Sequence, residues 1–255
     1  MTNTSPSDEN PIGKSIETIM AALKARPEAE VKAAELAEEE RQKRLAKDEA
    51  RRKFAAAGIP ERHAAAVSSK EGPWAAAWEA IYPRLGTGAI IPILGPRGTG
   101  KTQLAVEAVR YVTGRGGASL YTKAMGFFLD VREAMRSNEK SEKTAIRSFS
   151  LPRLLVIDAM EVRGETDFEN RILDYVIDLR YDSGMDTILI SNQTKEEFSK
   201  SVGPSIISRV HQVGDTIECN WPSFRGKSGV VFEPPSIEKR PGKLSAEDGH
   251  LRYLV

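Results

Sequence analysis

The sequence predicts an α/β fold in which a parallel five-stranded sheet is flanked by helices. Residues 153–158 form an apolar run without polar alternation, which is typical of a parallel strand covered on both faces. Apolar strands and helical patterns alternate from about residue 87 to residue 222. A glycine-rich segment at 95–102 lies between a predicted strand and a predicted helix, where such folds hold phosphate groups.

The N-terminal residues 1–57 are predicted to form a disordered polar tip and a charged helical arm. An apolar stripe recurs there at helical spacing: Ile16, Ile19, Met20 and Leu23. Residues 28–54 carry their acidic side chains first and their basic ones last, an order that complements a helix dipole. Two interpretations remain open. The arm is either a long solvated helix, or a partner-binding arm that docks through the apolar stripe.

The remaining chain is predicted in three parts. Residues 58–86, with several glycines and prolines around two tryptophans, are predicted to be a linker, and the core is expected at 87–226. Core strands are predicted at 89–94, 118–122, 153–158, 186–191 and 214–219. Core helices are predicted near 101–113, 125–137, 168–182 and 195–212. Residues 227–255, rich in proline and charge, are predicted to be an extended tail, so no C-terminal lid domain is expected.

Composition limits the classes of function. The 255 residues include 37 Lys+Arg and 36 Asp+Glu, so any DNA contact has to be local or shared between subunits. The single cysteine, Cys219, excludes an internal disulfide and a cysteine-rich zinc site. No apolar run approaches the ~20 residues of a membrane span, and no signal-peptide core begins the chain. These features predict a soluble cytoplasmic protein without a membrane partner.

Residues 95–102, Gly-Pro-Arg-Gly-Thr-Gly-Lys-Thr, match the phosphate-binding loop G-x-x-x-x-G-K-[ST] in full. Backbone N–H groups and a helix N-terminus surround a polyphosphate in such a loop. Lys101 is predicted to reach the β- and γ-phosphates of ATP, and the Thr102 hydroxyl to bind Mg²⁺. The predicted ATP-binding residues are Gly95, Pro96, Arg97, Gly98, Thr99, Gly100, Lys101, Thr102 and Gln103. The flanking strand and helix disfavour the alternative of a chance glycine-rich turn.

Asp158 ends an apolar strand, where α/β sheets present ligand-binding groups. It is predicted to hold Mg²⁺ with Thr102; an aspartate that only caps a turn is the alternative. ATPases with this loop usually place glutamate next, but position 159 is alanine. Glu161, the first carboxylate after it, either reaches back to the attacking water or is a solvated loop residue. Slow hydrolysis is expected, because water activation depends on positioning.

Two later residues complete the predicted catalytic set of Lys101, Glu161, Asn192 and Arg209. Asn192 follows the apolar run 188–190 and is predicted to sense the γ-phosphate or to place the water; a turn-forming asparagine is the alternative. Arg209 lies in a late helix, where a lone arginine is most often a surface ion-pair partner. Supplied to the nucleotide of a neighbouring subunit, such an arginine can contribute about 10³–10⁵ in rate.

Taken together, these motifs resemble the AAA+ ATPases of the DnaC/DnaI-type bacterial and phage helicase-loader family. The resemblance covers roughly residues 55–226. It rests on Gly58-Ile59-Pro60 with Arg62, residues 95–102, residues 154–162, Leu179-Arg180-Tyr181, Ile190-Ser191-Asn192, Ser208-Arg209-Val210 and Trp221-Pro222-Ser223-Phe224-Arg225.

The resemblance implies a P-loop NTPase with an AAA+ core, whose Mg²⁺-dependent ATP hydrolysis is slow and stimulated by a partner or by DNA. It implies that the N-terminal region binds the replicative hexameric helicase and that the protein delivers this helicase to single-stranded DNA. It further implies an ATP-dependent homo-oligomer, in which Asn192 is the first sensor and Arg209 acts in trans.

Three departures from the family pattern accompany this resemblance. Ala159 replaces the usual glutamate, and Ser205 stands where many relatives carry a second arginine. Residues 125–136, where loaders insert a DNA-contacting element, show no obvious match to the family's stacking aromatic; Phe127 and Phe128 are predicted to be core.

Two other functions therefore remain open. An IstB-type transposition helper ATPase has the same core but recruits a transposase. A nucleotide-gated adaptor with little hydrolysis is the alternative that Ala159 suggests.

Overall fold

The computed structural model describes residues 28–65, 72–136 and 142–224; the predicted apolar stripe and C-terminal tail lie outside them. The chain divides into two compact units, Met1–Glu49 and Ala50–Val255. Helix α1 (Glu28–Ala56) supplies the described residues of the first unit and continues into the second. Its side chains from 30 to 49 are exposed, as expected for a solvated helix, and Glu38 pairs with Arg41 at 2.8 Å. Partner docking by this arm stays a prediction.

The second unit is built on a sheet of five parallel strands in the order β2-β3-β4-β1-β5, which confirms the predicted fold class. The strands are β1 (Ile90–Leu94), β2 (Ser119–Lys123), β3 (Leu154–Asp158), β4 (Asp186–Ser191) and β5 (Ile217–Glu218). Strand β5 is shorter than the predicted 214–219. Gly214 still caps the preceding helix, and pairing with β1 begins only where Ile217 meets Ile93.

Helices cover both faces of this sheet, because alternate strand residues contribute to two separate cores. On one face, α3 (Gly72–Ile81) and α4 (Lys101–Gly114) pack with Ile91 and Ile93 of β1. On the other face, Ile90 and Leu94 meet four helices: α5 (Ala124–Arg136), α6 (Glu142–Ser150), α7 (Asp167–Asp182) and α8 (Lys195–Val213). Phe127 and Phe128 are buried there, which confirms that they are core residues.

Two regions differ from the secondary structure expected of them. Within residues 58–86, predicted as a linker, the chain forms α2 (Glu61–Ala64), α3 and a 3₁₀ turn at Tyr82–Arg84. Trp74 and Ile81 of α3 are buried in the core, because packing outweighs the local glycine and proline signals. Helix α6 was not predicted. The predicted boundaries between the arm (1–57), the linker (58–86), the core (87–226) and the tail (227–255) stay a prediction.

Polar caps set where the last two helices begin. Thr166 Oγ1 accepts from the Glu169 amide at the start of α7, and Thr194 forms a capping box with Glu197 at the start of α8. Helix α8 is interrupted at Gly203, whose φ of 84° leaves the helical region just before Pro204. Among the helices of the described ranges, none combines the length and the apolar character needed to cross a membrane.

Candidate nucleotide-binding site

The predicted site residues meet at the carboxyl edge of the sheet. Leu94 of β1 pairs with Ser191 of β4, and Ile157 of β3 pairs with Leu189 of β4, so these three strands end side by side. After β1, the chain passes through α4 to β2, which lies at one edge of the sheet. The neighbours of β1 in the sheet are β4 on one side and β5 on the other. Such a change of direction opens a crevice beyond the strand ends, which is where α/β sheets bind ligands.

Glycine is required at two positions of the phosphate-binding loop. Gly95 has a φ of 130°, and a Cβ there would lie 2.7 Å from the carbonyl oxygen of Cys219. Gly100 has a φ of 85°, and its Cβ would lie 3.0 Å from the Trp74 ring. Between them, Pro96 and Arg97 are exposed, and Thr99 is buried with its hydroxyl donating to the Pro96 carbonyl at 3.0 Å. Helix α4 begins directly after Gly100, and Gln103 is half-buried in its first turn.

Lys101 is a buried cation that joins the loop to the end of β4. Its side chain is 6% exposed. The ammonium donates to the carbonyl oxygens of Gly95 at 2.6 Å and Pro96 at 2.8 Å, and to Asn192 Oδ1 at 2.9 Å. The predicted phosphate-binding lysine and the predicted sensor asparagine are therefore in direct contact.

Thr102 and Asp158, the two predicted magnesium ligands, also lie in contact. Thr102 Oγ1 donates to Asp158 Oδ2 at 2.9 Å, and the Ala159 amide donates to Asp158 Oδ1 at 2.7 Å. In the described part of the chain, no group of three or more His, Cys, Asp or Glu side chains could hold a metal ion. One carboxylate and one hydroxyl nevertheless suit Mg²⁺, which usually takes few protein ligands and completes its shell with phosphate oxygens and water.

Tyr121 is a site residue that sequence reasoning missed. Its hydroxyl donates to Asp158 Oδ2 at 2.5 Å, from the neighbouring strand β2. Burial raises the pKa of Tyr121, and the adjacent Asp158 charge raises it further, so the phenol stays protonated as a donor. A tyrosine in a predicted strand next to the aspartate strand was the available signal, but strand order could not be read from the sequence.

Glu161 reaches back to the site through the turn that follows β3. Ala159 adopts the left-handed conformation, with φ of 59°, and a 3₁₀ turn at Met160–Val162 follows. The half-buried Glu161 carboxylate accepts from the Asn192 side-chain amide, from the Asn192 backbone N–H at 3.2 Å and from Ser191 Oγ at 3.4 Å. Glu161 is therefore held at the strand edge, and its catalytic role stays a prediction.

Arg209 does not join this network. Its guanidinium forms an ion pair with Asp178 of α7 and hydrogen bonds with the Ser205 carbonyl at 3.0 Å and Ser205 Oγ at 2.5 Å. The charge also lies 5.6 Å from the centre of the Tyr181 ring. These contacts place Arg209 on the surface between α7 and α8. Its action on the nucleotide of a neighbouring subunit stays a prediction.

Two tryptophans form the other contacts that sequence reasoning missed. Trp74 Nε1 donates to the Gly100 carbonyl at 3.2 Å, and Trp221 Nε1 donates to the Thr99 carbonyl at 2.9 Å. Trp221 belongs to a segment that contributed to the family resemblance without an assigned role. Beside it, burial raises the pKa of the Cys219 thiol to about 12, so Cys219 is a packing residue and not a reactive thiol.

Comparison with known proteins gives matches in both sequence and fold. Residues 86–228 match the family model described as IstB-like ATP binding protein. The replicative helicase loader DnaC of Escherichia coli K12 is 28% identical over 135 residues, 52% of this chain and 55% of DnaC. A putative ATP-binding protein in an insertion sequence of Mycobacterium tuberculosis is 26% identical over 167 residues, 64% of this chain and 61% of that protein. The chain thus spans little more than half the length of these relatives.

Solved structures share the fold at lower sequence identity. The crystal structure of DnaI aligns with a TM-score of 0.51 and 16% identity, over 66% of this chain and 95% of DnaI. Domain III of the Thermotoga maritima replication initiation protein DnaA aligns with a TM-score of 0.50 and 22% identity, over 61% of this chain and 65% of that chain.

Proposed function

The chain belongs to the IstB-like ATP binding protein family, and from this we propose that it is an ATPase that loads a replicative DNA helicase onto single-stranded DNA. Its fold is that of an AAA+ P-loop protein, with the loop at residues 95–102. The observation that carries the proposal is the continuous network at the strand edge. It links Lys101 to Asn192 and Asn192 to Glu161, beside the Thr102–Asp158 pair.

This network supports ATP binding followed by hydrolysis. The Lys101 ammonium and the N-terminus of α4 would bind the β- and γ-phosphates, since charged oxygens are stronger acceptors than the loop carbonyls that Lys101 now contacts. Thr102 and Asp158 would hold a Mg²⁺, which neutralises charge on the phosphate oxygens when bound. Tyr121 would keep the Asp158 carboxylate oriented through its hydrogen bond.

Glu161 is the proposed base for the attacking water. Asn192 holds the carboxylate through both its backbone and its side-chain N–H groups, and the same side chain contacts Lys101. Asn192 would therefore align the base with the γ-phosphate bound at Lys101, which is the positioning that water activation requires. The indirect route through Ala159 and the 3₁₀ turn supports a slow basal rate that a partner or DNA raises.

Arg209 is proposed to act on the nucleotide of a neighbouring subunit in an ATP-dependent homo-oligomer. Its side chain is 24% exposed at the surface between α7 and α8, so a second copy can reach it. A phosphate from that copy would have to replace Asp178 as the partner of Arg209. Assembly and catalysis would thereby depend on each other.

The choice of a helicase as partner rests on the named relative. DnaC of Escherichia coli is a replicative helicase loader and is 28% identical to this chain over the matched 135 residues. The transposition alternative is supported by the insertion-sequence protein, which is 26% identical but matches a larger share of this chain. A nucleotide-gated adaptor remains the third candidate, because position 159 is alanine.

The test is a pull-down with the purified 255-residue chain against a replicative hexameric helicase and an IstB-partner transposase, with ATP, with ADP and without nucleotide. ATP turnover is measured in parallel, with and without single-stranded DNA. Lys101→Ala, which removes the phosphate-facing charge, is the variant expected to lose nucleotide binding by about 100-fold or more. Lys143→Ala, an exposed lysine on α6, is its matched control.

ATP-dependent capture of the helicase together with DNA-stimulated turnover would support loading. Capture of the transposase alone would replace loading by the transposition function. ATP binding without turnover under any of these conditions would leave the adaptor function. Unchanged nucleotide affinity in Lys101→Ala would contradict the site itself.

A further inference from the structure

Carbonyl oxygens of the phosphate-binding loop accept hydrogen bonds from two segments, one before β1 and one after β5. Trp74 comes from α3, ahead of β1, and Trp221 and Phe224 come from the segment after β5. Trp74 Nε1 donates to the Gly100 carbonyl at 3.2 Å, and Trp221 Nε1 donates to the Thr99 carbonyl at 2.9 Å. The backbone N–H of Phe224 donates to the Gly98 carbonyl at 2.9 Å. Three consecutive loop carbonyls, those of Gly98, Thr99 and Gly100, thus accept hydrogen bonds from groups that are not part of the loop.

Holding these carbonyls also fixes the direction of three loop amides. A trans peptide is planar, and its C=O and N–H point in opposite directions. The carbonyls of Gly98, Thr99 and Gly100 share their peptide planes with the N–H groups of Thr99, Gly100 and Lys101. Carbonyls held outward therefore aim these three N–H groups into the loop, where they can donate to phosphate oxygens.

We propose that Trp74 and Trp221 are positioning residues for nucleotide binding, acting through the orientation of the loop peptides. The inference rests on the proposed nucleotide binding and adds to it the residues that pre-form the anion site. Gly98 and Gly100 have φ of 87° and 85°, and glycine peptides rotate more freely than others, so contacts are needed to fix their direction. The Gly100 carbonyl also accepts from the Leu104 N–H at 3.0 Å, and the Trp74 bond adds to this first bond of α4. A donor-only indole N–H is suited to this task, since it can bind a carbonyl but cannot compete with the loop as an acceptor.

The packing around Gly100 agrees with this role. A Cβ at Gly100 would meet Cδ1 and Nε1 of Trp74 at 3.0 Å and the Phe224 ring at 3.5 Å. Trp74 is 4% exposed, so little of the residue is open to water that could replace this bond. Trp221 is half-buried and contacts the preceding peptide through the Thr99 carbonyl.

The chain provides its own matched control, because it contains three tryptophans and the third is Trp78. Trp78 lies one turn beyond Trp74 on α3, and its ring packs against Tyr82 and Tyr111 at centroid distances of 6.0 and 6.1 Å. Replacement by phenylalanine keeps an aromatic ring at each position but removes the N–H donor together with part of the indole. Trp78→Phe controls for that loss of ring volume. The affinities of Trp74→Phe, Trp221→Phe and Trp78→Phe for ATP and ADP are measured by calorimetry on the 255-residue chain.

Loss of one such hydrogen bond is expected to weaken ATP and ADP binding by about 3- to 10-fold in Trp74→Phe and in Trp221→Phe. Trp78→Phe should stay within about twofold of wild type. The spectroscopic check uses Trp74→Phe/Trp78→Phe, which retains only Trp221, and Trp74→Phe/Trp221→Phe, which retains only Trp78. ADP should change the tryptophan emission of the first and leave that of the second unaltered.

This inference would be overturned if the wild type binds nucleotide and both Trp74→Phe and Trp221→Phe bind it with affinities within twofold of wild type. The proposed function would then remain intact. A wild-type chain that binds neither ATP nor ADP would overturn both. If Trp74→Phe fails to fold, the half-buried Trp221 decides the result alone, since its substitution disturbs less of the core.

Discussion

At the residue scale, Glu161 lies at the strand edge although it follows Ala159 by two positions, and its catalytic role stays a prediction. The left-handed turn at Ala159 redirects the chain immediately after β3, and Met160 anchors the following 3₁₀ turn in the core. A non-glycine residue in this conformation costs about 1–2 kcal/mol, which the buried turn has to offset. As a result, the Glu161 carboxylate contacts Asn192. In the sequence, Glu161 lies two residues after the position where the family pattern has glutamate.

We predict that Glu161→Gln lowers the ATP turnover number by about 100-fold or more, because an amide cannot accept the proton of the attacking water. Nucleotide affinity should stay within about threefold of wild type, since Glu161 contacts Asn192 rather than the loop. Steady-state turnover and calorimetry measure the two effects. Glu165→Gln, an exposed carboxylate of the same segment, is the control. Turnover equal to wild type in Glu161→Gln would mean that another group activates the water.

At the scale of elements, helix α6 is held in place by Arg180 of α7. Arg180 is fully buried and donates to the carbonyls of Phe149 at 2.9 Å, Ser150 at 3.2 Å and Pro152 at 3.0 Å, where α6 ends. It also donates to Thr187 Oγ1 at 2.9 Å in β4. Burial lowers the pKa of Arg180 to about 9, so it remains charged at neutral pH and depends on these acceptors.

We predict that Arg180→Met lowers the free energy of unfolding by about 3–5 kcal/mol, because several buried carbonyls lose their donor. For a unit of this size the melting temperature should fall by roughly 10 °C. Calorimetric melting measures the loss, and hydrogen exchange should report faster opening of α6. Arg171→Met, an exposed arginine on the same helix, should change stability by less than about 0.5 kcal/mol. Equal melting of the two variants would show that α6 does not depend on Arg180.

At the scale of the whole molecule, the sheet brings the proposed ATP site to one edge, while Arg209 is held elsewhere by α7. Asp178, Tyr181 and Ser205 surround its guanidinium. In the single chain this is an ordinary surface ion pair, worth about 0–1 kcal/mol. A catalytic role for Arg209 in a neighbouring copy belongs to the proposed homo-oligomer and stays a prediction.

We predict that Arg209→Ala binds ATP with nearly unchanged affinity but fails to assemble with ATP and turns over about 10³-fold more slowly. Light scattering after size exclusion measures assembly. Mixing Arg209→Ala with Lys101→Ala should restore part of the turnover, because each variant supplies the group that the other lacks. Arg171→Ala should behave as wild type. Normal assembly and turnover in Arg209→Ala would reduce Arg209 to its ion pair with Asp178.

Local patterns were sufficient for the sheet, the phosphate-binding loop and the polar residues at the strand ends. A loop that needs glycine at fixed positions and strands that are apolar on both faces leave marks within a few residues. Helix α6 and the helices within 58–86 were not predicted. Their short, charged or glycine-containing sequences form helices because of distant contacts, such as those of Arg180 with α6 and of Trp74 with the loop.

The sequence by itself determined the fold class, the family resemblance and the presence of Lys101, Thr102 and Asp158 at a common edge. Only the tertiary structure decided that Glu161 faces Asn192, that Tyr121 holds Asp158, and that Trp74 and Trp221 hold the loop from outside. The physical reason is the separation along the chain. Periodicity and loop chemistry act between near neighbours, whereas these contacts join residues that come together only when strand order and helix packing are fixed.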